Sequence, residues 1–160
     1  MTAQIRISDV LLDNGREHVL LDDEPLMAAW TENERPLFRA WRPDCARGYK
    51  ATWAIKQGRR CEYWLYLTSV FACVESSHVA VKAAQGELCF PDCPDESLYK
   101  LFPNCKGPVR ARFFSGEIRT AYSFIPAEAR MPRTGPIDMV FRVEAGRVVH
   151  ILDYGHELRY

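Results

Sequence analysis

Three of the six cysteines in this 160-residue chain fall within "CFPDCPDESLYKLFPNC", Cys89 to Cys105, and thiols gathered in this way invite a metal. A structural zinc ion takes about four soft or borderline ligands, usually from two close pairs, each pair on a tight turn forming one edge of a tetrahedron. Cys89 and Cys93 supply one such edge. Cys105 follows without a close mate, so a fourth ligand would have to come from Cys73 or His78. Pro91 and Pro94 would stiffen such a loop, yet prolines are equally ordinary in a surface excursion. The incomplete pairing favours a loop with partly buried thiols over a zinc centre. There is no Cys-x-x-Cys to favour a reversible disulfide.

A second chemistry is carried by arginine. In "VRARFF", a period of two sets Arg110, Arg112 and Phe114 on one strand face, with Val109, Ala111 and Phe113 toward the core. Two guanidinium groups beside an aromatic ring can hold a carboxylate, a phosphate or an acidic partner surface, because arginine offers a planar donor fork and also stacks. Lys56, Arg59 and Arg60 form another basic group in an expected turn. The competing reading is a solvated sheet face, which shows the same alternation.

Catalytic partners are sparse. The histidines are scattered at His18, His78, His150 and His156. His150 is the candidate base nearest a strand, but Asp153 would point to the opposite face and could not orient it. Ser115 in "FFSGEI" lacks the Gly-x-Ser-x-Gly elbow and a positioned base, so it reads as a small residue beside a glycine bend. The acidic run Asp22, Asp23, Glu24, Glu32 and Glu34 reads as a solvated helix start, where carboxylates are favoured.

These groups must be positioned by one ordinary globular domain, residues 1–160, since 48% of the residues are hydrophobic and 26% charged. Twenty-one basic and twenty-one acidic residues give no net charge, which removes the broad electrostatic argument for nucleic acid or an anionic membrane. Neither a recognition helix nor an aromatic RNA-binding pattern is present. The start lacks a basic segment followed by an apolar one, and "YWLYLTSVFACV" is too short to span a bilayer. The expectation is a cytoplasmic protein with reduced thiols and no cofactor.

Along the chain, Asn14-Gly15 between two apolar runs predicts a two-residue hairpin. "DDEPLMAAW" predicts a short helix ending near Trp30. A loop pinned by Leu37, Phe38 and Trp41 follows. From Tyr49, alternation puts Tyr49, Ala51, Trp53 and Ile55 on one buried face. Cys61 to Val74 is apolar on both parities and reads as a central strand covered on both sides. A loop-rich excursion spans about 75–108, with a strand at "HVAVKA" and a short helix at "DESLYKLF". The runs "VRARFF" and "IDMVFRVEAGRVVHIL" complete the sheet, the latter turning at Ala145-Gly146.

"RGYKATWAIKQGRRCEYWLYLTSV", followed later by "RARFFSGEIR" and "FRVEAGRVV", resembles a group of small uncharacterised bacterial proteins. In that group an Arg-Gly-Tyr-x-Ala-Thr-Trp strand and a Phe-Ser-Gly-Glu segment come after a hairpin and an "EPL" helix. The resemblance implies a bacterial origin and a β-rich domain, with the cysteine-rich excursion as an insertion. It supplies no site residue.

The combined expectation is an α+β, mainly β fold: a curved, largely antiparallel sheet or partly closed barrel with one or two short helices. The expected function is a non-enzymatic binding or protein-interaction module, such as an accessory or toxin-neutralising protein, whose partner is a protein or a small anionic ligand. The alternatives are an enzyme holding a small anion on Arg110 and Arg112 with a histidine base, and a zinc-stabilised domain.

Overall fold

Asn14 and Gly15 both take positive φ, 50° and 77°, the twist that lets a two-residue turn join strands without splaying them. They connect β1 (Val10–Asp13) to β2 (Arg16–Leu20) in register, with Asp13 opposite Arg16. The computed structural model describes residues 7–40, 45, 47–74, 95–122 and 137–153. Its longer strands are β3 (Tyr49–Gln57), β4 (Tyr63–Ala72), β7 (Gly116–Tyr122), β8 (Met139–Glu144) and β9 (Arg147–Asp153). Two short ones, β5 (Asp95–Glu96) and β6 (Val109–Arg110), pair with β4.

The sheet closes on itself as a seven-stranded barrel in the order β3, β1, β2, β7, β8, β9, β4, with β4 returning to β3. An odd ring cannot alternate direction at every seam. The mismatch falls between β1 and β3, which run parallel. A parallel neighbour requires a long crossover, and residues 21–48 provide it. Within that crossover, Pro25–Ala29 forms a 3-10 helix rather than an α-helix. The acidic residues before it make no side-chain cap; Asp23 instead accepts the backbone N–H of Arg119 at 2.8 Å and ties the crossover to β7.

A barrel of this size leaves an interior just wide enough for side chains. Leu11, Leu20, Trp53, Leu65, Leu67, Ile118, Phe141 and Val143 fill it. A run of rings, Tyr49, Phe38, Trp30, Phe102, Phe113 and Trp53, joins the crossover, the helix α1 (Leu98–Leu101) and the loop after β6 to that core. Phe38 is the anchor of the crossover loop. Leu37 is 68% exposed and pins nothing, while Trp41 and "HVAVKA" lie outside the described residues.

β4 departs from the sequence expectation. Leu65 and Leu67 point inward and Val70 and Ala72 do likewise after Thr68, the extra residue where Thr52 pairs Ser69 but Trp53 pairs Leu67. The bulge shifts parity by one, and the hydroxyl of Thr68 donates to the Thr52 carbonyl at 3.0 Å. The outward residues Trp64 and Tyr66 are half-buried, and Phe71 is exposed. The strand is covered on one side only. It looked apolar on both because its solvent face is aromatic.

Candidate functional site: a cation–aromatic groove

Residues directly opposite on paired strands share a face, so β4 fixes what surrounds Trp64 and Tyr66. Trp64 lies between Lys56 of β3 and Arg147 of β9, and Tyr66 lies opposite Arg110 of β6. All of them turn outward because Leu65 and Leu67 turn inward. The Arg110 guanidinium carbon sits 4.4 Å from the centroid of the Trp64 ring and 5.6 Å from that of Tyr66. One of its terminal nitrogens donates to the Tyr66 hydroxyl at 3.1 Å. The Lys56 ammonium stands 5.5 Å from the Tyr66 centroid. Such cation–π contacts fix a long side chain while leaving most of its donors free.

The backbone of Arg110 is fixed from below. The Ala111 N–H donates to the Leu65 carbonyl at 2.9 Å, and the chain then turns, with Phe114 N–H returning to the Ala111 carbonyl at 3.0 Å. The turn at Ala145-Gly146 wedges against this segment. Gly146 N–H donates to the Phe114 carbonyl, and a Cβ on Gly146 would stand 2.8 Å from the Ala111 carbonyl. Ser115 has a structural part in the same wedge, where its hydroxyl accepts the Ala145 N–H at 2.8 Å.

The other wall is the β3–β4 turn. Glu62 folds back so that one carboxylate oxygen accepts the Trp64 indole N–H at 3.2 Å and the other the Arg60 backbone N–H at 2.8 Å. Hydrogen bonds from its own backbone and from Trp64 hold this carboxyl below the usual range, and it stays ionised. A Cβ on Gly58 would lie 2.1 Å from a Glu62 oxygen, so a larger residue there would push the Glu62 carboxylate out of this position. Arg59 and Arg60 are left pointing to solvent. Together Gln57, Gly58, Arg59, Arg60, Glu62, Tyr66 and Arg110 line an open groove of about 560 Å³.

Among the described residues the ion pairs are Arg47 with Asp9 and Glu24, Lys100 with Asp95, and Arg119 with Asp23. Lys56, Arg59, Arg60 and Arg110 hold no carboxylate there. Arg147 has Glu144 opposite it on β8.

The two basic groups expected from sequence are therefore one site, but with different members. Arg110 joins Lys56, Arg59 and Arg60. Arg112 and Phe114 do not share its strand face, because β6 ends at Arg110; Arg112 is exposed in the turn and Phe114 is partly buried against the core. His150 is exposed on β9 opposite Arg142, and it does not line the groove. Cys89, Cys93 and His78 lie outside the described residues, and Cys105 is a half-buried thiol packed against the core. No group of three or more His, Cys, Asp or Glu among the described residues is placed to hold a metal.

Sequence reasoning missed Trp64, Tyr66, Gln57 and Glu62. The signal was present in the alternation of Trp64 and Tyr66 against Leu65 and Leu67, and aromatic rings concealed it. It also missed the buried carboxylate of Asp9, which pairs with Arg47 and accepts the Ala51 N–H at 2.9 Å and the Trp53 indole N–H at 3.3 Å. That cluster staples the parallel seam. Compared with protein-family models, curated proteins and solved structures, the chain matches none of them.

Proposed function

We propose that this chain is a non-enzymatic binding module that recognises an anionic partner through the groove beside Trp64. The observation that carries the reading is Arg110, held over the Trp64 ring and hydrogen-bonded to the Tyr66 hydroxyl, without a carboxylate among the described residues, beside two further free arginines. For an arginine that only solvated the sheet, such contacts are worth about 0.5–1 kcal/mol. One that captures anions gains a pre-set donor fork and loses less side-chain freedom on binding. Arginine, tryptophan and tyrosine together are also the residues most enriched where binding energy concentrates. No helix among the described residues is long and apolar enough to cross a membrane. The resemblance to small bacterial proteins supports a bacterial origin and carries no function of its own.

Calorimetric titration with tripolyphosphate, a generic polyanion, tests this reading. Saturable binding that weakens about tenfold in Arg110→Gln is expected, with Arg110→Lys intermediate because lysine keeps the charge and loses the fork. Binding unchanged in Arg110→Gln, or no binding, refutes it.

A further inference from the structure

The spacing of the cations says which kind of anion fits, provided that the groove is a binding site as proposed above. Arg147 and Arg110 succeed each other along one flank of β4, opposite Trp64 and Tyr66. That sets their backbone positions a two-residue step apart along a strand, about 7 Å. Lys56 lies on the other flank, two strands from Arg147, or about 10 Å at a strand spacing near 4.8 Å. Arg59 and Arg60 stand in the β3–β4 turn and line the groove together with Arg110.

An extended polypeptide repeats its same-side residues at the same two-residue interval. The geometry points to an extended acidic segment of a partner protein, with carboxylates at alternate positions, laid along the flank of β4 from the β3–β4 turn to Arg110. Charge complementarity selects this occupant, because the arginines that line the groove, Arg59, Arg60 and Arg110, form no ion pair with a carboxylate among the described residues. The one acid in the groove, Glu62, is turned onto Trp64 and the turn backbone. A second copy of the chain is a poorer fit, since pairing this face with itself sets like charges together. Single-stranded nucleic acid would draw its affinity from stacking bases on aromatic rings, and here the Arg110 guanidinium lies over the Trp64 ring.

The test is fluorescence anisotropy with three labelled probes of equal length: an alternating Glu-Ser peptide, a peptide with the same number of glutamates in one block, and an oligothymidylate. The expected order is the alternating peptide first, at least about tenfold tighter than either competitor, with binding that weakens as salt rises. Arg110→Gln and the pair Arg59→Ser, Arg60→Ser should each weaken it about tenfold, while Arg112→Gln, a like change of charge outside the groove, leaves it unchanged. Equal binding of the blocked peptide, tighter binding of the oligothymidylate, or equal losses from Arg110→Gln and Arg112→Gln would overturn the proposal. If tripolyphosphate binds with Arg110 dependence and the alternating peptide does not, the extended acidic partner is wrong and the anion-binding reading stands. If neither binds, both fall.

Discussion

At the scale of single residues, the fold and the site each depend on one charged side chain held by aromatic and backbone partners. Asp9 is 1% exposed, and burial raises its carboxyl above the ordinary range against the pull of Arg47 and the hydrogen bonds from Ala51 and Trp53. Removing its charge leaves Arg47 without its main partner. Asp9→Asn should therefore cost about 3 kcal/mol, read from a denaturant midpoint. A loss under about half a kcal/mol would show that the parallel seam does not need the pair. Arg110 was legible in sequence because strand alternation turned it outward. Its partners were not legible. Which aromatic residues lie under a guanidinium depends on the pairing of β6 with β4, a contact between residues 44 apart in the chain.

Elements were legible wherever turn chemistry and alternation acted locally. Asn14-Gly15 and Ala145-Gly146 both form turns with positive φ, and Trp53 and Leu65 are fully buried on neighbouring strands. The two turns differ in what surrounds them. Nothing lies within 4 Å of a Cβ on Gly15, whereas one on Gly146 would meet the Ala111 carbonyl. Gly15→Val should cost about 1 kcal/mol, from backbone conformation alone. Gly146→Ala should cost more than Gly15→Ala, because it adds steric contact to strain. It should also displace Arg110, so that anion binding weakens with stability. Equal costs at the two glycines would contradict the wedge. Leu65→Ala should cost roughly 2–5 kcal/mol. The expected continuation of "VRARFF" as one strand failed for a physical reason. Two tertiary hydrogen bonds, Ala111 to Leu65 and Gly146 to Phe114, fix a turn that alternation does not encode.

For the whole molecule, closure of the barrel was expected only in part, because closure depends on the few pairings of β9 with β4. It also buries His18 completely, edge-on to Phe141 at 5.7 Å, and burial holds that imidazole below its ordinary value. The unfolded chain takes up this proton near pH 6.5, at about the reference value, and the folded chain takes it up only at lower pH. Stability should therefore fall as pH drops below that point, by at most about 1.4 kcal/mol per pH unit from this group. His18→Gln should flatten the slope, whatever it does to stability at neutral pH; an unchanged slope would place the titration elsewhere. The central claim is that a neutral chain concentrates free cations on one aromatic face in order to bind an anion. Backbone amide and indole NMR shifts recorded during a tripolyphosphate titration test it most directly. Saturable shifts confined to residues 57–66 and to Arg110 with its neighbours are the predicted result. Shifts centred on Arg112 or His150, or spread evenly over the exposed arginines and lysines, would contradict it.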